Sequence, residues 1–198
     1  AKKDGRLRPV VDCRRSNCWF DEPAGVRLVS GETLAGLELG DDERLYVGGV
    51  DLKDCFYHFE LPEPLRPYFS LRPVRAGAVG VTSLGGQAVP PDMLIFPQFK
   101  VLPMGWSWAL WWCQNIHQNI VLRSGGLACN RLEDRKVCAP LSSSCHFEYV
   151  DNFQALSTDL GQVRGLVSKV VEAFVDLGLP YHELEPGGED VDEVVAVG

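Results

Sequence analysis

The chain has no long apolar stretch and no closely paired cysteines, and both absences exclude whole classes of protein. Its longest apolar run, around Leu110–Cys113, falls far short of the roughly 20 residues that a membrane-spanning helix needs. None of the seven cysteines forms a C-x-x-C pair, and an odd number argues against a disulfide framework and for a reducing compartment. No apolar segment follows the charged start Ala1–Gly5, so no signal peptide is predicted. We therefore expect an intracellular protein, in the cytoplasm or nucleus, that is neither secreted nor membrane-bound.

The common phosphate-binding and metalloprotease motifs are also missing. The sequence contains no G-x-G-x-x-G, no Walker A motif and no H-E-x-x-H, which removes the most familiar dinucleotide, nucleotide and zinc enzymes. A zinc site is one alternative, but the spacing of its candidate ligands matches no known finger or knuckle. Those candidates are Cys129, Cys138, Cys145 and His146.

The composition is that of a globular domain with an uneven charge. Of 198 residues, 45% are hydrophobic and 23% are charged, enough for one domain with a sizeable core. The net charge of −8 divides into +3 for residues 1–30, −2 for residues 31–147 and −9 for residues 148–198. A basic amino-terminal region suits phosphate, whereas the acidic carboxyl-terminal region would need metal ions to lie along a nucleic acid.

Hydrophobic periodicity predicts an α+β fold without βαβ winding. Capping residues and apolar spacing predict helices at Ser30–Leu39, at Ser107–Arg123 and at Leu160–Leu177, where Gly178 ends the last one. The last two predicted strands form a hairpin with Asp151 and Asn152 at its tip. The predicted strands cover residues 7–12, 45–52, 68–74, 94–102, 146–150 and 153–157, with the tip of a hairpin at 76–92 and a loop at 124–144.

Two aspartates lie at positions where they could share a metal ion. Asp51 lies near the end of a predicted buried strand, and Asp151 lies at the tip of the predicted hairpin. Carboxylates that share two divalent cations about 3.5–4 Å apart form the usual nucleotidyl-transfer site. On spacing alone, the alternative that each aspartate is a solvated turn residue is the stronger one.

Four segments change that balance, because together they resemble the successive motifs of a known enzyme family. In order, they are Arg8–Asn17, Val50–Tyr57, Val101–Trp106 and Tyr149–Asn152. Their order and spacing are similar to those of reverse transcriptases, RNA-directed DNA polymerases of the retroviral and LTR-retrotransposon type, across nearly the whole chain. The resemblance implies template-directed DNA synthesis by metal-dependent nucleotidyl transfer. The partners it implies are an RNA or DNA template with a primer and deoxynucleoside triphosphates.

The resemblance also implies an architecture, that of a polymerase palm with partial fingers and no thumb. The palm would be an antiparallel sheet backed by helices. Residues 1–45 and 62–103 would belong mostly to the fingers, and residues 46–61 and 104–198 mostly to the palm. The chain ends where the primer-grip motif would begin, so we expect a thumb, a connection and an RNase H region to come from a longer parent chain.

Each matching residue takes an implied role. Asp51, Asp151 and Asn152 would be the catalytic residues, and Asp51, Asp151 and the Leu52 carbonyl would hold two Mg²⁺ ions, with Mn²⁺ as an alternative. Phe56, five residues after Asp51, would be a steric gate that crowds a ribose 2′-hydroxyl. The other implied nucleotide-binding residues are Arg8, Lys2 or Lys3, the backbone amides of Asp54 and Cys55, and Met104 with Gly105 near the base and template.

Three departures from the family pattern put full activity in question. Asn152 stands where the family usually has a second aspartate, which removes one negative charge beside two dications. Tryptophans surround Ala109, where the family has a small residue and proline, and we expect them to pack rather than to stack on bases. The late lysine is absent, which leaves His182 as the candidate general acid. An impaired retroelement remnant that at most binds nucleic acid is therefore the alternative function.

A remote alternative is a serine hydrolase. The segment Gly105–Ala109 approximates a nucleophile elbow, and Ser107, Asp151 and His182 follow in the required chain order. However, the elbow lacks its second glycine, and Ser107 is equally explained as the start of a helix.

Overall fold

A computed structural model gives the fold and describes residues 11–136 and 140–187. The chain divides into two compact units. One contains the described residues up to Glu22 together with Phe56–Ala109. The other contains Pro23–Cys55 together with the described residues from Leu110 onward.

The described residues form four α-helices and eight strands, most of the strands being short. The helices are α1 (Arg14–Asn17), α2 (Gly31–Ala35), α3 (Ser107–Arg123) and α4 (Leu160–Asp176). The strands are β1 (Tyr46–Leu52), β2 (Val74–Arg75), β3 (Ser83–Leu84), β4 (Gln87–Ala88), β5 (Leu94–Ile95), β6 (Cys145–Tyr149), β7 (Asn152–Ser157) and β8 (Tyr181–Glu185). Short 3₁₀ helices cover Cys55–Tyr57, Glu63–Phe69, Ala76–Val79 and Ala128–Asn130.

The second unit is built on a four-stranded sheet in the order β6-β7-β1-β8. All three strand pairings are antiparallel, and β6 and β7 form the predicted hairpin. The prediction of an α+β fold with antiparallel sheets is therefore confirmed. The central strand β1 joins neighbours that both come from the carboxyl-terminal part of the chain.

Helices cover one face of this sheet. Alternation along each strand places His146, Glu148 and Phe153 on that face. There α4 packs against β1 and β7 and buries its predicted apolar stripe: Val163, Leu166, Val167, Val170 and Phe174. The part of α3 from Leu110 onward reaches the same hairpin through hydrogen bonds of Gln114.

The opposite face is covered only in part. At its outer end, Cys145, Phe147 and Leu156 pack with Val29 and Leu132 in a buried apolar cluster. Toward the β6–β7 turn the same face carries Tyr149, Asn152, Asp51 and His182, none of them fully buried.

The two long helices match their predicted limits closely. α3 covers the predicted residues, and α4 ends one residue earlier than predicted. The Asp159 side chain caps α4 by accepting hydrogen bonds from the amides of Gly161 and Gln162. Gly178 follows the helix with φ 68°, the left-handed conformation that commonly ends a helix.

Several predicted elements are wrong or too long. Residues 11–12 are not a strand, and residues 7–10 lie outside the described part. Of the predicted strand 68–74, residues 68 and 69 end the 3₁₀ helix Glu63–Phe69, and only Val74 lies in a strand, β2. Only two residues of the predicted strand 94–102 form β5, which pairs with β2. α2 stops at Ala35 rather than Leu39.

The tip of the β6–β7 hairpin also differs from the prediction. Tyr149 pairs with Asn152, so the two turn residues are Val150 and Asp151, and Asn152 is the first residue of β7. Val150 has φ 60°, a conformation that is rare for a β-branched residue and that glycine usually supplies at this turn position.

Candidate active site

Asp51 lies at the centre of a row of polar side chains on the incompletely covered face. It pairs directly with Asn152 on β7 and with His182 on β8. Directly paired residues of antiparallel strands project to the same face of a sheet. The three side chains therefore form one row across three strands, half-buried at Asn152 and Asp51 and exposed at His182.

Asp151 reaches the same place from the hairpin turn. The Leu52 amide donates a hydrogen bond to the Asp151 carbonyl oxygen at 2.8 Å. This bond places the backbone of the hairpin turn beside β1, next to Asp51. Both carboxylates lie near the Cys55 thiol, since each contributes to raising its pKa. The predicted adjacency of Asp51 and Asp151 is confirmed at the level of the backbone, although the two are 100 residues apart in sequence.

Two buried side chains of α3 hold the strained Val150 peptide. Gln114 Oε1 accepts a hydrogen bond from the Val150 amide at 2.8 Å, and Gln114 Nε2 donates to the Glu148 carbonyl at 2.8 Å. His117 Nδ1 lies 2.9 Å from the Val150 carbonyl oxygen, so the proton of the neutral ring must be on Nδ1. A residue held at an unfavourable φ destabilises the folded state by about 1–3 kcal/mol, and it persists only where surrounding contacts hold it in place. The hydrogen bonds of Gln114 and His117 are such contacts. Sequence reasoning missed both residues, and no local pattern distinguishes them, because five of the six residues 114–119 are polar.

The Cys55 and Cys113 thiols meet beneath the two aspartates. Their sulfur atoms are 2.9 Å apart, and both side chains are buried. The hydrogen bond with Cys113, together with burial, raises the pKa of the Cys55 thiol. The Cys55 thiol therefore stays protonated at neutral pH.

The Asn152 side chain is engaged within the chain. Its Oδ1 accepts a hydrogen bond from Gln154 Nε2 at 3.0 Å. The amide oxygen has two lone pairs and this bond uses one of them, but the neutral amide adds no negative charge, which leaves Asp51 and Asp151 as the carboxylates next to the turn.

A second set of metal-ligating atoms lies on the other side of Asp51. Ligand atoms of Asp51, His182 and Glu183 all lie within 4.8 Å of one another, the only such group of three or more found in residues 11–136 and 140–187. The zinc alternative gains no support, because His146 is buried with its ring nitrogens 2.8 Å from Glu148 Oε1 and 3.2 Å from the Leu127 carbonyl. Of its other candidate ligands, Cys138 lies outside the described residues.

The predicted donors next to the turn fit a hard divalent cation. Asp51 and Asp151 offer carboxylates, and Leu52 adds a backbone carbonyl in the same strand. Oxygen ligands of this kind are those that Mg²⁺ prefers. The role of these residues in holding magnesium remains a prediction.

The remaining predicted nucleotide-binding residues belong to both units or lie outside the described residues. Asp54 lies in the turn after β1 with φ 54°. Phe56 is half-buried in the following 3₁₀ helix and belongs to the other unit. Met104 and Gly105 also belong to that unit, where the Met104 carbonyl accepts a hydrogen bond from the Val11 amide at 3.2 Å. Lys2, Lys3 and Arg8 lie outside the described residues.

In the tryptophan-rich segment 106–112, the expected packing role is observed for Trp106. Trp106 is buried, with its ring centroid 5.3 Å from that of Phe20 and 5.2 Å from that of Phe69. Ser107 is the first residue of α3, and its amide is satisfied by Asn17 Oδ1 at 3.1 Å. The hydrolase alternative is disfavoured, because an α/β-hydrolase elbow belongs to a parallel sheet and the named strands here pair antiparallel.

Comparison of the chain with known protein-family models gives no match, and neither does comparison with curated protein sequences. Within the described residues, no helix has the length and apolarity needed to cross a membrane.

Proposed function

We propose that this protein is a template-directed DNA polymerase of the reverse-transcriptase type, acting by metal-dependent nucleotidyl transfer. The observation that carries the proposal is the placement of Asp51 in β1 next to the β6–β7 turn that holds Asp151, in an antiparallel sheet whose other face is covered by helices. Two carboxylates from distant segments, one in a central strand and one in a hairpin turn, are the arrangement that nucleotidyl transfer requires. In this reading the second unit is the palm.

Each residue then has a task that its surroundings allow. Asp51 and Asp151 would hold two divalent cations, which when bound supply charge neutralisation and activation of the primer 3′-hydroxyl. The hydrogen bonds of Gln114 and His117 to Val150 fix the turn that carries Asp151. The backbone around Asp54 and Cys55 would meet the triphosphate, and Phe56 would exclude a ribose 2′-hydroxyl. The template with its primer and the deoxynucleotide would be the partners.

The experiment is primer extension on a homopolymer template, with the chain alone and with a thumb supplied in the same polypeptide. We expect weak extension in Mg²⁺ and partial recovery in Mn²⁺, because Asn152 removes a carboxylate and Mn²⁺ binds such mixed sites more tightly. Asn152→Asp should raise the rate in Mg²⁺, whereas without a bound ion the added carboxylate opposite Asp51 should lower the free energy of unfolding by about 0.2–1 kcal/mol. Asn115→Asp on α3 is the control for an added carboxylate elsewhere.

The impaired remnant is the second candidate, favoured by the neutral amide of Asn152 directly opposite Asp51, where a carboxylate would add negative charge. If the natural chain and the Asn152→Asp variant are both folded and neither extends a primer in either metal, the remnant becomes the better function. Full activity of the natural chain in Mg²⁺ would contradict the charge argument but support the polymerase.

A further inference from the structure

We propose that Asp51, His182 and Glu183 form a nitrogen- and oxygen-donor site that selects a divalent transition-metal ion over Mg²⁺. The inference rests on the proposed function, because Asp51 belongs to both sites. It adds to that function two ligands and a metal preference that the resemblance does not imply.

The site exists because β8 contains a bulge. Asp51 pairs with His182 and Gly49 pairs with Glu185, so two residues of β8, Glu183 and Leu184, lie opposite one residue of β1. Glu183 has φ 53°, the left-handed conformation typical of one type of bulge residue. In a regular strand, consecutive side chains point to opposite faces. The bulge interrupts that alternation, and His182 and Glu183 both reach Asp51.

The distances are compatible with ion binding after small side-chain movements. Donor atoms of the three residues lie within 4.8 Å of one another, and His182 Nδ1 is 3.9 Å from Glu183 Oε1. Ligands about 2.0–2.2 Å from one ion can be no more than about 4.4 Å apart. The side chains of His182 and Glu183 are 43% and 77% exposed, so they can rotate and an ion can enter from solvent.

The donor chemistry determines the preference. Carboxylates and carbonyls suit Mg²⁺, whereas imidazole suits transition-metal ions and adds little to magnesium binding. One imidazole with two carboxylates therefore favours a transition-metal ion such as Zn²⁺ over Mg²⁺. In this role the His182 ring cannot also act as a proton donor.

The site also replaces a missing charge. Asn152 and His182 flank Asp51 on opposite sides at the same level of the sheet. The carboxylate that is absent on the β7 side is matched by the Glu183 carboxylate on the β8 side. The resulting charge would lie beside Asp51, where a cation shared with Asp151 would also be held.

The experiment uses the purified chain and Mn²⁺ as the probe, with no nucleic acid. Mn²⁺ affinity is measured by electron paramagnetic resonance, and electron spin-echo envelope modulation detects nitrogen bound directly to the ion. We expect one nitrogen-coupled Mn²⁺ ion. His182→Ala should abolish the nitrogen coupling and lower the affinity at least about tenfold, and Glu183→Gln should lower the affinity to a similar extent, since even indirect partners of metal sites cost 10–100-fold.

Matched controls separate the site from general surface effects. Glu185→Gln changes an exposed carboxylate in the same strand, and His58→Ala removes an exposed histidine of the other unit; both should leave affinity and coupling unchanged. His182→Asp should keep Mn²⁺ binding, remove the nitrogen signal and increase the affinity for Mg²⁺ relative to Mn²⁺.

The outcomes distinguish this inference from the proposed function. Mn²⁺ bound without nitrogen coupling in the natural chain, or coupling that survives His182→Ala, would overturn the inference while leaving the polymerase proposal intact. The natural chain could instead show nitrogen-coupled Mn²⁺ that His182→Ala abolishes, and yet extend no primer. That result would support the inference and count against the polymerase.

Discussion

Replacing Gln114 tests whether α3 holds the turn that carries Asp151. Gln114 is 1% exposed and makes two hydrogen bonds of 2.8 Å, one to the Val150 amide and one to the Glu148 carbonyl. Gln114→Leu keeps nearly the same side-chain volume but leaves both backbone groups buried without these partners. Each unsatisfied group costs about 1–3 kcal/mol, so the free energy of unfolding should fall by about 2–6 kcal/mol.

The control for this prediction is Gln118→Leu, the same substitution one turn later at a half-buried position of α3. It should change the free energy of unfolding by no more than about 0.5 kcal/mol. Chemical denaturation measures both variants, and hydrogen exchange of the Val150 amide reports on the turn itself. Equal losses in the two variants, or unchanged protection of the Val150 amide in Gln114→Leu, would refute the reasoning.

Three further predictions concern pH, close packing and sugar choice. Burial lowers the pKa of His117 in the folded chain. Below about pH 6.5 the unfolded chain therefore binds a proton at this ring that the folded chain does not bind, and the free energy of unfolding should fall as the pH decreases. An NMR titration in which the His117 ring of the folded protein protonates at its ordinary pKa would contradict this. Gly49→Ala should destabilise by about 1–3 kcal/mol in thermal unfolding, because its Cβ would collide with the Phe153 carbonyl oxygen. Gly165→Ala, which has open space in α4, should instead stabilise by about 0.5–1 kcal/mol. Phe56→Ala in an active, thumb-bearing chain should allow incorporation of ribonucleotides, while incorporation of deoxynucleotides changes less. Unchanged selectivity between the two sugars would show that Phe56 is a packing residue and not a steric gate.

The sequence predicts best the elements whose stability is local. α4 has an apolar stripe with the helical period and an aspartate cap, and both signals lie within the helix. β1 contains apolar and β-branched residues, and the β6–β7 hairpin consists of two short segments with apolar residues on either side of a turn. The strand that holds Asp51 and the hairpin that holds Asp151 were recognisable locally, but their adjacency was predicted only from the resemblance of four ordered segments to a known family.

The parts that escaped prediction depend on distant partners. β8 has the sequence Tyr-His-Glu-Leu-Glu, which contains no β-branched residue and too few apolar residues to predict a strand. Its residues are mostly exposed in the structure. Its bulge needs a left-handed glutamate, and the β6–β7 turn needs a left-handed valine; local propensity argues against both. The Val150 conformation is supported by hydrogen bonds from α3, more than 30 residues away, which no local pattern reveals.

The position of β1 in the sheet has a consequence for synthesis of the chain. β1 is made before either of its neighbours, since β7 begins at Asn152 and β8 ends at Glu185. Both edges of an apolar strand that contains Asp51 lack their native partners until β7 has been made, and the β8 edge stays unpaired until β8 has followed. Such exposed edges favour pairing with other chains, and contacts of long sequence separation form slowly. Nascent chains halted before β8 should therefore aggregate through β1, and a chaperone that shields this strand during translation would raise the yield of folded protein.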